Sequence, residues 1–383
     1  MRAKIALIVL LLLILLPLPG ASARNPNLAD ELQVNLYSAR VVAITDETEI
    51  HDTIIQAVQI RILNRDLRGT YATITNTLVQ GAQNIHLRPG TRISVHMESG
   101  ADGAPAFFFN GYDRTIALLI LFLVFTACII ALGKIKGLRA LFALLVTIAL
   151  ILFGLVPLLL QGYHPILLSV LTCVIAAILI FAICYGINKK SISAAIGVAG
   201  GLLIAGIIAY LFGVLTNVTG FASGDAQMLQ YLPGGYRFDF RGMLFAGIII
   251  GALGAVTDVA ISIASPLAEL KARNPAITNK ELIASGLNIG KDIMGSMVNT
   301  LVLAYTGGAL ATLLIFMGFE TGFNEILNLE SISTEIIRAL TGSIGLLFTI
   351  PFTIFSFITL ERVYAEKGEL HEQAESEQEP NSD

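Results

Sequence analysis

GALGAVTDVAISIAS, residues 251–265, closes an apolar run that begins near residue 242 and carries one aspartate inside it. A carboxylate at the centre of a membrane helix costs roughly 2.5–3.5 kcal/mol on insertion scales. The meaning of Asp258 therefore depends on whether the run crosses a bilayer. Composition answers that: 55% of the chain is hydrophobic and only 14% is charged, against about a quarter charged in soluble proteins. The expectation is a polytopic membrane protein, and Asp258 then needs a reason to be where it is.

Working outward, seven runs approach the length needed to cross ~30 Å of hydrocarbon: 114–132, 138–160, 165–187, 191–213, 242–265, 292–318 and 337–360. Basic residues collect in alternate loops. Lys134, Lys136 and Arg139 follow the first run, Lys189 and Lys190 the third, Lys271, Arg273 and Lys280 the fifth, Arg362 and Lys367 the last. The loops on the other side carry only Arg237 and Arg241. By the positive-inside rule the first set is cytoplasmic. In the long inner loop, Thr278 and Glu281 have capping-box spacing, which predicts a short helix ending near Gly286.

The chain opens with MRAKIALIVLLLLILLPLPGASARN, two basic residues before an apolar stretch too short to span, then a small-x-small site. This is the layout of a signal peptide over 1–23, with an uncleaved anchor as the alternative. Residues 24–112 are polar and rich in β-formers with turn residues between them, which predicts a small extracytoplasmic all-β domain of about five strands, a sandwich or a barrel. His51, His86 and His96 have no metal-site spacing and read as isolated surface positions. Residues 113–360 form the seven-helix transmembrane domain. Residues 361–383 hold eight acids against two bases and read as a disordered cytoplasmic tail. Cys128, Cys173 and Cys184 lie in apolar runs, so neither metal nor cofactor is expected.

Spacing within the runs identifies the polar and small faces. Gly197 and Gly201 belong to a four-residue repeat of small residues suited to close helix packing. In the fifth run Gly247, Gly251 and Ala255 are followed on the same side by Asp258, Ser262 and then Glu269. In the sixth, Asp292, Ser296, Asn299 and Thr300 recur on one side. Counting from the cytoplasmic end puts Asn299 and Thr300 at the depth of Asp258, roughly 10 Å in. If the two helices pack antiparallel, Asp258 meets an amide or hydroxyl and is satisfied inside the bundle.

GAVTDVAISIASPLAEL and ELIASGLNIGKDIMGSMVNTLVLAYTG resemble the YibE/F-like family of bacterial membrane proteins, and the resemblance extends over roughly residues 107–360. It implies a multispanning protein of the plasma membrane and supplies no substrate. Three functions stay open. The first is a transporter of an ion or small solute, with Asp258, Ser262, Ser296, Asn299 and Thr300 as the intramembrane site and Asp292 and Glu269 at its cytoplasmic mouth. The second is a non-enzymatic accessory protein of a membrane complex. The third is an intramembrane aspartyl hydrolase using Asp258 and Asp292, which lacks the GxGD pattern such a site would show. The partners expected are the lipid bilayer, a solute and a membrane-complex subunit, with no nucleic acid.

Overall fold

The computed structural model describes residues 35–50, 53–79, 85–99, 105–232, 236, 238–319 and 322–378. The signal-peptide reading over 1–23 lies outside these. Two compact units divide the chain, Ala21–Leu132 and a second from Gly133 onward.

The first unit holds β1 (Asn35–Ile50), β2 (Thr53–Ile62), β3 (Tyr71–Val79), β4 (Arg92–Ser99) and β5 (Pro105–Tyr112). They form one antiparallel sheet in the order β3-β2-β1-β4-β5. The β-former alternation is read out directly: Val58, Ile60 and Ile62 point inward with Ile74, Ile93 and Val95. β1 is long enough to pair with β4 along its first half and β2 along its second, and two register shifts bend it between Val41 and Asp46. The end strands β3 and β5 also meet, so the sheet curls into a partly open barrel. Two inward positions, Gln56 and Asn76, break the apolar pattern. Gln56 is fully buried, and its Oε1 accepts from Asn76 Nδ2 at 2.9 Å and Leu87 N at 3.2 Å. Its amide nitrogen donates to Glu47 Oε2 at 2.9 Å and lies 3.0 Å from His86 Nδ1. His86 is thus part of a network rather than an isolated surface group, and His96 stacks on Phe108 at 5.3 Å.

Helix α1 (Thr115–Ala149) begins after Asp113, whose Oδ1 accepts from Thr115 N at 3.0 Å. Burial opposes the ionisation of Asp113, but hydrogen bonds from Thr115 and Ser38 and the charge of Arg92 hold its carboxyl below the ordinary value. The helix is interrupted at Lys134, whose φ of 48° and ψ of −130° are not helical. The boundary between the two compact units falls beside this break. Leu118, Leu121 and Leu123 before the break are all exposed, as lipid-facing side chains would be.

A six-residue π-helical stretch, Leu150–Leu155, follows α1 and leads into α2 (Val156–Leu160), where Pro157 removes a backbone donor. The bundle continues with α3 (Pro165–Tyr185), α4 (Lys189–Leu215), the short α5 (Gly224–Met228), α6 (Phe240–Arg273) and α7 (Asn279–Gly308). It ends with α8 (Leu310–Gly318), α9 (Phe323–Asn328) and α10 (Glu330–Gln378). Side-chain caps start four of these: Asn188 on Ser191 N, Ser223 on Ala226 N, Asp239 on Gly242 N, and the Thr278–Glu281 capping box. The box is as the sequence predicts, but the helix does not stop at Gly286. It runs thirty residues, because Gly286 is a packing position against Ile354 and Leu267 rather than a terminator. Likewise α10 continues to Gln378 where an unfolded tail is expected; Glu, Ala and Lys are good helix formers and extend a helix already nucleated.

Among the described residues five helices are long and apolar enough to cross a membrane, or six if α7 and α8 form one bent span. The expected count of seven is therefore not what these lengths return, because 114–132 and 138–160 fall in one continuous segment, Thr115–Leu160. α4 and α6 sit at the centre. Small residues of α4 face α10 near its start: a Cβ at Gly197 would overlap Thr353, and one at Gly201 would overlap Thr349. Each four-residue step overshoots a full turn by about 40°, so the stripe winds round and its far end, Gly213, meets Phe245 of α6 instead.

Candidate functional site

α6 is buried on one side by Ile249, Leu253, Val256, Ala260 and Ile263, which join the central apolar cluster. The opposite side carries Gly247, Gly251, Gly254, Asp258, Ser262 and Glu269, and all six are exposed. α7 repeats this division. Gly286, Gly290 and Leu301 pack against Ile354, Ile350 and Gly342 of α10, whereas Asp292, Gly295, Ser296, Asn299 and Thr300 are exposed. The expected meeting of Asp258 with Asn299 or Thr300 across a closed interface does not occur. Among the described residues Asp258 makes no hydrogen bond or ion pair. The reason is that α7 leans mainly on α10, so the two polar stripes stay open.

The stripes are nonetheless aligned. Tyr305 of α7 reaches α6, its hydroxyl standing 2.7 Å from where a Cβ on Gly251 would be. Asp258 and Val298 each lie seven residues below that crossing, so Asp258 and Asn299 share a level roughly 10 Å from it. The hydroxyls nearby are spent on their own helix: Thr300 Oγ1 donates to Ser296 O at 2.8 Å and Ser296 Oγ to Ile293 O at 3.0 Å. Their lone pairs stay free, so together with Asp258 and the Asn299 amide oxygen the faces present acceptors. Such a set suits a cation or a donor-rich solute. Among the described residues no group of three His, Cys, Asp or Glu could hold a metal ion.

Of the flanking residues, Glu269 is paired with Arg273 at 2.7 Å, so its charge is compensated, while Asp292 is exposed and has no ion pair. Gly247 packs against nothing within 4 Å, contrary to the close helix contact its spacing suggests, and Ala255 touches the central cluster.

Sequence reasoning missed the upper end of this region. α7 and α8 meet at 58° across Ala309, immediately after Gly307 and Gly308. The Gly-Gly pair was the available signal, since paired glycines punctuate helices. Below the bend lies a cavity of about 400 Å³ bounded by Tyr305, Thr306, Ala309 and Glu335. Glu335 accepts from Arg338 at 2.7 Å, and that guanidinium sits 5.8 Å from the Tyr305 ring. Tyr185 was also missed; its phenol lies within electrostatic range of Asp258.

The YibE/F-like protein family matches residues 121–362, nearly two-thirds of the chain, which includes α3 through the apolar part of α10. The chain belongs to the YibE/F-like family. The open stripes and the α7–α8 bend both fall within the matched region of this YibE/F-like protein. No curated protein and no solved structure matches the chain.

Proposed function

We propose that this YibE/F-like protein moves an ion or small solute across the bacterial plasma membrane along the exposed faces of α6 and α7. The observation that carries the reading is the pair of open polar stripes at matched depth, centred on an Asp258 that has no hydrogen-bond or ion-pair partner among the described residues. Polar groups facing hydrocarbon are costly, and they persist where they line water or a binding site. The bend at Ala309 supports the same reading, because broken helices within a bilayer commonly border solute sites. In this reading there are seven crossings, the two arms of α1 counting separately and α7–α8 counting as one. The β barrel lies outside and the C-terminus inside, as the basic loops require. Asp258 supplies the counter-charge, Ser262, Ser296, Asn299 and Thr300 supply oxygens, and Asp292 draws cations to the inner mouth.

A second reading has its own support: Gly247, Gly254 and Gly295 have nothing within 4 Å, which is the surface a partner helix would close. The protein would then be an accessory subunit. Reconstitution separates the two. Proteoliposomes loaded with a pH-sensitive dye are placed under imposed sodium, potassium and proton gradients. Transport predicts an ion-dependent signal that Asp258→Asn abolishes while the protein stays folded. A folded protein with no flux, or flux untouched by Asp258→Asn, overturns the transport reading.

A further inference from the structure

A separate feature stands at the end of the bundle that carries the basic loops. The start of α4, the last turns of α6 and α10 enclose an open cavity of about 510 Å³ floored by the buried Phe357. Lys189, Lys190 and Lys271 line it, with Glu361 as the acidic member. Among the described residues, three lysines against one carboxylate leave an excess of two positive charges around it.

The partners of each lysine show where that excess resides. Lys189 is paired with Glu361 at 3.0 Å and also sits over the Tyr364 ring at 5.0 Å. Lys271 donates to the carbonyl oxygens of Pro275 at 2.8 Å and Ile277 at 3.4 Å, which fix its position without neutralising it. Lys190 lies 5.7 Å from the Tyr185 ring and, among the described residues, has no ion pair. Thus, among the described residues, two lysines from different helices line the cavity without a carboxylate partner. Of the neighbouring basic residues, Arg273 is compensated by Glu269 at 2.7 Å. The first-turn amides of α4 add a favourable field for an anion beside Lys189 and Lys190.

We infer that this cavity binds a phosphate group, seated between Lys190 and Lys271 with Lys189 shared between it and Glu361. A compact tetrahedral anion suits point-charge ammonium donors contributed by α4 and α6, and its charge cancels the excess. Basic pockets between helices at the inner membrane face are suited to phospholipid headgroups. A free phosphate would offer the same chemistry.

The test uses the full-length protein in a neutral detergent and reads the melting temperature. It is titrated with phosphatidylglycerol, with phosphatidylcholine as the uncharged control, and separately with inorganic phosphate. The expected result is stabilisation by phosphatidylglycerol and not by phosphatidylcholine. Lys190→Gln and Lys271→Gln should each weaken the apparent affinity roughly fivefold, the equivalent of about 1 kcal/mol per basic residue. Arg273→Gln, on the same helix end but outside the cavity, should leave it unchanged. Stabilisation by inorganic phosphate alone, lost in Lys190→Gln, would assign the site to a soluble phosphate. Lys190→Gln also guards against misfolding, because that side chain holds no backbone carbonyl. No shift with either ligand, or equal loss with Arg273→Gln, overturns the proposal.

Discussion

Two glycines separated by packing alone provide the sharpest test of the bundle. At Gly201 a Cβ would overlap Thr349 Oγ1 and stand 2.7 Å from the Gly345 carbonyl oxygen. Thr349 is fully buried and its hydroxyl already donates to that same carbonyl at 2.9 Å, so neither neighbour has room to retreat. Overpacking of this kind costs about 1–3 kcal/mol, partly offset by the better helix propensity of alanine, about 1 kcal/mol. Gly201→Ala should therefore destabilise by up to about 2 kcal/mol. At Gly254 nothing lies within 4 Å, so only the propensity gain remains and Gly254→Ala should be neutral or stabilising by up to about 1 kcal/mol. The propensity gain is common to both variants, so the overpacking cost of about 1–3 kcal/mol separates them, and at about 2–4 °C per kcal/mol for a unit of this size the two melting temperatures should differ by roughly 2–12 °C. The chain has no tryptophan, but Cys173 is fully buried. A thiol-reactive dye then reports unfolding in a background where Cys128 and Cys184 are serine. Equal shifts of one sign for both variants would refute the division of α6 and α4 into open and packed faces.

Further outcomes are expected elsewhere. Asp258→Asn should leave the melting temperature unchanged or raise it, since the carboxylate has no hydrogen-bond or ion-pair partner to lose among the described residues, while ion flux in proteoliposomes disappears; a large fall in melting temperature would instead make Asp258 structural. Gln56→Leu strands Leu87 N in the barrel and leaves Asn76 Nδ2 with Ile85 O as its remaining acceptor, which should cost about 1–3 kcal/mol, read as a lower urea midpoint for the β1–β5 amides in hydrogen exchange. Because the folded carboxyl of Asp113 titrates below its ordinary value of 3.8, its contribution is complete above that value and is lost as pH falls through the lower folded value. Hydrogen exchange at the start of α1 should accelerate over that acid window in the native protein, and Asp113→Asn should abolish the dependence.

Much of this architecture was legible before any coordinates. Alternation of β-formers gave five strands, and the Thr278–Glu281 spacing gave a capping box. Depth counting put Asp258 level with Asn299, and counting from the Tyr305–Gly251 approach returns the same level. What spacing could not tell was which stripe turns inward. In a soluble helix the polar side is the wet side, but in a bilayer both lipid and core are apolar, so Gly201 and Gly254 look alike in sequence and differ only in what stands opposite. The end of α7 was misjudged for a related reason: Gly286 resembles a terminator, yet its missing side chain admits Ile354, whereas Gly307 and Gly308 precede the bend at Ala309. The run of acids after residue 360 suggested disorder, because charge argues against a core and says nothing against an isolated helix.

The seam between α4 and α10 has an implication for descent. Gly197 exists because Thr353 occupies its missing side chain, Gly201 because of Thr349, and Gly345 because Ala205 lies opposite, its Cβ 2.7 Å from where one on Gly345 would stand. None of these can enlarge alone. Across related chains such positions should drift as couples, a gain in volume at 201 being matched by a loss at 349. The history of this family should therefore be written there in paired substitutions, while the solvent-open glycines of α6 vary or hold according to function alone.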